Sequence, residues 1–203
     1  MSWFYERRVY PSEKNGDIVC QRNFGKWDVF VGELHMSSEH LRGMWRGVHR
    51  RLPIDFSPKE ILMFGLAAGD NVTLLSRKYP QSWITAVEWD PVMVRIAEEI
   101  GDYPAHAKPK FIVADAGEVV RTLPGPFDLI LVDIFRGGAV AHEAYVAGFF
   151  GQVSRLLSGN GLVIVNSFRE RQLLDTAAKS LRTVTVFEER ENNVGIFGKD
   201  LLK

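Results

Sequence analysis

Three acidic residues stand where strand-like runs end, and side chains at such positions could bind a nucleoside and move a proton. Glu88, Asp115 and Asp133 each follow an apolar or β-branched run. Ligands of open α/β sheets bind outside the carboxyl ends of the strands, so these carboxylates should line one cleft. A carboxylate there can hold ribose hydroxyls, accept from an amino group or deprotonate a nucleophile. The pattern predicts a nucleoside site, with Asp133 as the candidate catalytic residue.

The loop at residues 65–69 is expected to hold the cofactor. It reads Gly-Leu-Ala-Ala-Gly before a helical pattern, so backbone N–H groups would gather at a helix N-terminus. A dinucleotide fingerprint needs glycine where this chain has Ala67 and Asp70, and a diphosphate would meet the Asp70 carboxylate. S-adenosylmethionine has no phosphate and suits a loop of small residues; the alternative is an ordinary tight turn. The loop residues predicted to bind the cofactor are Gly65, Leu66, Ala67 and Gly69.

Each acid also has a structural interpretation. Glu88 lies roughly 20 residues beyond the loop, where a ribose-binding acid belongs, and Trp89 could pack against the ribose or adenine. Alone, the Glu88 motif would be a strand end with solvent-facing acids. Asp115, next to Ala116, could accept from the adenine amino group or cap a helix N-terminus, and the two roles are compatible. Asp133 could instead cap the turn after its strand.

Other catalytic chemistry has little support in the sequence. The five histidines include one close pair, His35 and His40, and their spacing does not match that of metal ligands, so no metal is predicted. Cys20 lies in a strand-like run, where a packed thiol is expected rather than a nucleophile. Ser167 lacks the G-x-S-x-G setting of a hydrolase.

Composition restricts the size of the fold and its partners. The chain has 203 residues, with 25 Lys and Arg against 25 Asp and Glu, and one cysteine. That length suits one core plus a small extra unit. The balanced charge provides no basic field, so no nucleic-acid partner is expected. The single cysteine fits a reducing compartment, and no apolar run approaches membrane-spanning length, so we predict a cytoplasmic protein without membrane association.

Strand and helix patterns alternate from residue 61 onward, which predicts an α/β fold with a mostly parallel sheet. Two strand-like runs at 183–187 and 194–197 then predict a terminal antiparallel hairpin. This arrangement resembles the Rossmann-like fold of S-adenosylmethionine-dependent transferases. The predicted strands are 61–65, 83–88, 110–113, 127–133 and 161–166, and the predicted helices are 70–79, 91–100, 116–122, 142–157 and 169–181.

The sequence pattern of the first quarter of the chain predicts a small β element. Residues 17–34 form two strand-like runs around the turn Asn23-Phe24-Gly25-Lys26, which indicates a hairpin. Apolar residues at helical spacing follow Ser37 and Ser38, which are plausible helix caps, and continue to Pro53. We therefore divide the chain into a hairpin region with a linking helix, 1–52, and an S-adenosylmethionine-binding α/β domain, 53–203.

The motifs resemble those of spermidine synthases and their relatives, the aminopropyltransferases, over about residues 16–168. These proteins have a small N-terminal β domain followed by a methyltransferase-like fold. The resemblance implies that Glu88 binds the ribose, that Asp115 and Ala116 bind the adenine, that Asp133 activates the attacking amine, and that the chain forms a homodimer. It is carried by Gly16-Asp17-Ile18-Val19, Gly32-Glu33-Leu34, Ala86-Val87-Glu88-Trp89-Asp90-Pro91, Asp115-Ala116 and Phe127-Asp128-Leu129-Ile130-Leu131-Val132-Asp133.

The departures from that family concern the acceptor. The loop acid of spermidine synthases is replaced by Ala68, a second acid after Asp133 is replaced by Arg136, and a glutamine is replaced by His35; the Y-H-E signature is missing. A diamine is a cation that needs converging carboxylates, so these changes remove attraction and add repulsion. Arg136 could pair with a carboxylate of the cofactor or acceptor. Arg136 and His35 are therefore the predicted substrate-binding residues.

Three hypotheses follow. The first is a spermidine synthase-like transferase that binds S-adenosylmethionine and transfers its methyl group to a small-molecule acceptor that the sequence does not identify. The second is an aminopropyltransferase that uses decarboxylated S-adenosylmethionine. The third is a nucleoside-binding module without catalysis. The charge pattern favours methyl transfer, because a donor that keeps its carboxylate is better tolerated without the loop acid.

Overall fold

The structure is a computed structural model that describes residues 5–136, 139–141 and 148–199. Its first element is an antiparallel sheet of four strands, where the sequence predicted a hairpin. The predicted turn Asn23–Lys26 does join β2 and β3. The hairpin prediction missed the outer strands, which mix charged and apolar residues because one face of each is exposed. The strands are β1 (Tyr5–Ser12), β2 (Gly16–Asn23), β3 (Lys26–Val31) and β4 (Leu34–Ser37).

Helix α1 (Glu39–Arg50) links this sheet to the rest of the chain. The predicted cap is correct at Ser38, whose side chain accepts from the Leu41 backbone N–H at 3.2 Å. Met44, Trp45 and Val48 are buried in one cluster with residues of the main sheet. The helix is therefore fixed against the larger unit through its apolar face.

The main sheet has seven strands in the order β12-β13-β11-β8-β5-β6-β7, and its strands run parallel except where β13 pairs with β11 and β12. The predicted fold class is thereby confirmed. Its strands are β5 (Glu60–Phe64), β6 (Trp83–Glu88), β7 (Lys110–Val113), β8 (Phe127–Val132), β11 (Leu157–Asn166), β12 (Leu181–Glu189) and β13 (Asn192–Lys199); a separate ribbon has β9 (Phe135–Arg136) and β10 (Ala139–Val140).

The helices alternate with these strands as predicted, with small differences at their ends. The predicted helix 142–157 is observed from residue 149, and residues 142–147 lie outside the described part of the chain. The helix predicted at 116–122 is only one turn long. The helices are α2 (Asp70–Lys78), α3 (Pro91–Ile100), α4 (Ala116–Val119), α5 (Phe149–Leu156) and α6 (Arg171–Ala178).

Both faces of the central strands are buried. On β5, Leu62 and Phe64 face one apolar cluster, whereas Ile61 and Met63 face the other. All four side chains are at most 1% exposed. Full burial of each contributes about 1.5–3 kcal/mol, so the strand that leads into the 65–69 loop is firmly held.

The terminal hairpin turns at Arg190 and Glu191, both of which have positive φ, at 48° and 68°. Asparagine tolerates a positive φ better than arginine or glutamate does. The predicted strands, 183–187 and 194–197, left Asn192 and Asn193 in the connection between them, and the structure shows that this is wrong. They begin β13 instead, and Asn192 is 5% exposed.

No helix in the described ranges is long and apolar enough to cross a bilayer.

Candidate functional site

A cavity lies at the carboxyl edge of the main sheet, where β5, β8 and β6 end side by side. The strand order places Glu88 on one side of the 65–69 loop and Asp133 on the other. Most of the predicted site residues line this one cavity, although they are spread over about a hundred positions of the chain. Those that line it are His35, Gly65, Leu66, Ala67, Glu88, Trp89, Ala116, Asp133 and Arg136.

Glu88 is a buried carboxylate held by the backbone. It is 8% exposed and accepts from the N–H groups of Leu66 and Asp90, each at 3.1 Å. Burial raises the pKa of Glu88, and the backbone N–H groups oppose that shift. The interpretation as a solvent-facing strand end is therefore wrong. The contact with Leu66 also ties the acid to the 65–69 loop, as the predicted nucleoside site requires.

The loop backbone is in the left-handed region at three positions: Gly65 (φ 94°), Ala67 (φ 47°) and Gly69 (φ 83°). Such a conformation is strained for alanine and is typical of functional sites. Gly69 is the N-cap of α2 and lies against the Tyr103 hydroxyl rather than among the residues that line the cavity. The part of the loop that lines the cavity is thus its first three residues.

Ala68 is not among the residues that line the cavity. Its side chain is buried in an apolar cluster between the N-terminal sheet and α3, together with Cys20 and Met93. An ionised carboxylate at position 68 would be buried there without a partner, which costs several kcal/mol. An alanine in place of the family's loop acid therefore agrees with the apolar surroundings of position 68. In the same cluster, burial raises the pKa of the Cys20 thiol to about 11, which agrees with the predicted packed thiol.

Gly65 offers a direct test of the loop geometry. A Cβ at this position would collide with the backbone carbonyl oxygen of Asp133, and the positive φ adds strain. We expect Gly65→Ala to lower the free energy of unfolding by about 2–3 kcal/mol, measured by urea denaturation. Gly151, whose Cβ would meet nothing within 4 Å, is the control, and Gly151→Ala should stabilise α5 slightly. Equal stability of the two variants would contradict the close approach of loop and strand end.

Trp89 and Arg136 form one cluster with Asp115. The Arg136 guanidinium lies 4.0 Å from the Trp89 ring centroid, and its Nη2 is 2.5 Å from Asp115 Oδ2. The other oxygen of Asp115 accepts from the Glu118 backbone N–H at 3.1 Å, so the predicted helix cap is confirmed. Asp115 itself does not appear among the cavity-lining residues and reaches the cavity through Arg136. The carboxylate partner of Arg136 in the structure is thus one of the chain's own.

Asp133 is held by Asn166, which ends the neighbouring strand β11. Asn166 Nδ2 donates to Asp133 Oδ1 at 2.8 Å, and Asn166 Oδ1 accepts from the Phe168 N–H at 3.1 Å. Burial raises the pKa of Asp133 to about 6, and the nearby Glu88 charge adds to this effect while Asn166 opposes it. A carboxylate with that pKa can accept a proton near neutral pH.

The N-terminal sheet is fastened to the site at two acids. Asp90 is fully buried, and it accepts from the Ser12 hydroxyl and from Asn15 Nδ2, each at 2.6 Å. Asp70, at the start of α2, accepts from the Ser37 hydroxyl at 2.7 Å and lies 3.4 Å from Arg42 Nη1. These contacts place the N-terminal sheet over the cavity.

The predicted substrate-binding residue His35 does line the cavity; it is exposed and packs on Phe30, with ring centroids 4.5 Å apart. Several other lining residues were not predicted. Asn166 could have been found, because it ends a predicted strand just as Asp133 does. Helical spacing alone does not separate a cavity-lining residue from a core residue. Further lining residues from the N-terminal sheet, α1, α2 and the strand ends include Val31, Leu34, Met36, Leu41, Met44, Trp45, Asn71, Phe135, Phe168 and Asn192.

Within residues 5–136, 139–141 and 148–199, no group of three or more His, Cys, Asp or Glu side chains is arranged to hold a metal ion.

Comparison with known proteins identifies transferases as relatives. No family model matches the chain. The polyamine aminopropyltransferase of Vibrio vulnificus is 30% identical over 130 residues, which are 63% of this chain and 44% of that protein. The N-terminal histidine N-methyltransferase of Emericella nidulans is 34% identical over 105 residues, 49% of this chain and 18% of that protein. A probable spermidine synthase from Corynebacterium glutamicum superposes with a TM-score of 0.62 at 20% identity, over 98% of this chain and 78% of that one.

The similarity predicted from the motifs is confirmed by these matches. Relatives include aminopropyltransferases and methyltransferases, and the neighbouring structures share the Rossmann-like methyltransferase fold. The chain is thus similar to S-adenosylmethionine-type transferases in both sequence and fold. It spans less than half the length of the curated relatives that it matches.

Proposed function

We propose that the protein transfers the methyl group of S-adenosylmethionine to a small-molecule acceptor. The observation that carries this proposal is the single cavity that brings the 65–67 loop, Glu88 and Asp133 together. Glu88 would hold the ribose hydroxyls, Trp89 and Ala116 would pack against the nucleoside, and the loop backbone would approach the methionine part. Sequence relatives that are aminopropyltransferases or methyltransferases support a donor of this class.

The charges in the cavity favour the donor that keeps its carboxylate. Ala68 is buried in an apolar cluster, so residues 65–69 place no acid near the methionine part of the donor. The next residue, Asp70, is an acid, but it pairs with Arg42. An aminopropyl donor, by contrast, is favoured by unpaired acids close to its ammonium group. Two unit charges 4 Å apart interact by about 4 kcal/mol at an effective dielectric of about 20. The pairing of Asp70 with Arg42 therefore reduces the attraction that Asp70 would have for the ammonium group of an aminopropyl donor.

The proposed transfer needs little from the protein beyond positioning and one proton acceptor. The lone pair of the acceptor's nucleophile forms a bond to the methyl carbon, and the carbon–sulfur bond breaks with its electrons remaining on sulfur. The proton of the nucleophile passes to Asp133, whose carboxylate Asn166 holds in place. The products are the methylated acceptor and S-adenosylhomocysteine.

Calorimetric titration with three ligands tests the donor. S-adenosylmethionine should bind at least as tightly as methylthioadenosine, because no unpaired acid of the cavity repels the carboxylate of its amino-acid end. It should also bind more tightly than decarboxylated S-adenosylmethionine. A clear preference for the decarboxylated form would instead favour polyamine synthesis. Failure of all three to bind would contradict the proposed function.

The alternative of a nucleoside-binding module without catalysis is favoured by one observation: Arg136 stands where the family has an acid. Turnover of any acceptor that is lost in Asp133→Asn would exclude this alternative. Tight nucleoside binding with no turnover over a broad set of amines, phenols and acids would support it.

A further inference from the structure

The cavity has a second end, beyond Asp133 as seen from Glu88. Along the edge of the sheet, Asp133 is followed by Asn166 at the end of β11 and by Asn192 at the start of β13. Helix α1 covers this end, because its two glycines lie against the side chains of the β12–β13 turn. The nucleoside residues lie on the other side of the 65–69 loop. The second end therefore lies apart from the residues predicted to bind the nucleoside.

Apolar side chains form most of this second end. Met44 and Trp45 of α1 are at most 4% exposed. Phe135 and Phe168 add two rings in edge-to-face contact, with centroids 6.3 Å apart. Phe168 has φ 50°, so its position is maintained at the cost of backbone strain. Pockets that bind small molecules are mostly apolar and use a few polar groups to orient the ligand, as Asn166 could here.

The carboxylates do not suit a dication. Among the described residues that line the cavity, Asp70, Glu88 and Asp133 carry carboxylates. Glu88 is held by backbone N–H groups, and Asp70 is held by Ser37 and Arg42. Asp133, which accepts from Asn166 at Oδ1, is the acid that stands next to the second end. A diamine carries two ammonium groups, and burial of a second one without a counter-charge costs several kcal/mol.

We propose, on the basis of the methyl transfer proposed above, that the acceptor is an uncharged molecule with an aromatic ring and one hydroxyl or amino nucleophile. The ring packs among Met44, Trp45 and Phe168, and the O–H or N–H group meets Asp133. In the transfer, oxygen or nitrogen gains the methyl carbon, sulfur keeps the electrons of the broken bond, and Asp133 takes the proton. This acceptor class differs from the diamine that the sequence resemblance implies.

The experiment has two stages, so that failure of the donor site is distinguished from failure of the acceptor proposal. Calorimetry first measures S-adenosylhomocysteine binding, which tests the proposed function alone. With that ligand saturating, p-cresol, aniline and putrescine are titrated separately. We expect p-cresol or aniline to bind at least about tenfold more tightly than putrescine. Equal or tighter putrescine binding, or no detectable binding of either ring compound, would overturn the proposal.

A charge variant locates the site. Leu34 lines the cavity and is 40% exposed, and Val186 on β12 is equally exposed but lies outside it. Leu34→Glu should weaken p-cresol binding and strengthen putrescine binding, each by about tenfold, because it adds a carboxylate to the lining of the cavity. Val186→Glu should leave both unchanged. Identical effects of the two variants would show that the ring compounds bind elsewhere, and would overturn the assignment.

Discussion

Replacement of Glu88 by alanine is expected to weaken binding of S-adenosylmethionine and methylthioadenosine alike, by at least about 100-fold. The variant loses the hydrogen bonds of the carboxylate to two ribose hydroxyls, and each hydrogen bond to a charged group is worth about 1.5–3 kcal/mol. The two ligands share the ribose and differ in the amino-acid end. An equal loss for both therefore identifies the nucleoside as the partner of Glu88.

The variant also removes two contacts within the protein, to the Leu66 and Asp90 N–H groups. Glu88→Gln separates the two effects, because its amide oxygen can still accept from one N–H group. Thermal melting of both variants reports the stability, and Glu98→Ala, at an exposed position on the following helix, is the control. Ligand affinity that is unchanged in a folded Glu88→Ala protein would exclude the ribose role.

The main sheet could be predicted because its strands are short apolar runs with clear ends. Once Phe64, Val87 and Val132 were recognised as the last apolar residues of parallel strands, the residues after them had to meet at one edge. That step predicted the common location of Gly65, Glu88 and Asp133. It did not depend on any contact between them.

The N-terminal sheet was harder to predict because its outer strands carry charges on their exposed faces. In β1, Tyr10 is buried while its neighbours are exposed or half-buried, so the apolar pattern is too weak to indicate a strand. The position of this sheet over the cavity depends on polar contacts with Asp70 and Asp90, which no periodicity reveals. The second end of the cavity, proposed above for the acceptor, was therefore not visible in the sequence.

Arg136 shows a different limit of the sequence. Its charge suggested a carboxylate partner on a ligand, whereas the structure pairs it with Asp115 and stacks it on Trp89. The three residues come from three different strand ends. Their meeting requires Arg136 to reach from the end of β8 past β5 to the ends of β6 and β7, and the residue types around position 136 do not specify that path.

Replacement of Asp133 by asparagine is expected to lower the transfer rate by about 10²–10⁴-fold, the usual contribution of a positioned proton acceptor. Binding of S-adenosylmethionine should change little, because the shape of the side chain is kept. The rate is measured as S-adenosylhomocysteine formation with the fastest acceptor in a set of phenols and amines. Asp128→Asn, at the opposite end of β8, is the matched control, and an unchanged rate in Asp133→Asn would show that transfer needs no base there.

The pH profile gives a second readout of the same carboxylate. Burial raises the pKa of Asp133 to about 6 from its usual 3.8, so the ionised form that accepts a proton predominates above pH 6. The wild-type rate should therefore rise with pH through about 6 and level off above it, and Asp133→Asn should lack this rise.

Asn166→Leu removes the 2.8 Å hydrogen bond that stabilises the ionised form of Asp133. Its rise should move to higher pH by about one to two units, because a hydrogen bond to a charged group is worth about 1.5–3 kcal/mol. A merely structural role for Asn166 would lower the rate at every pH without moving the rise.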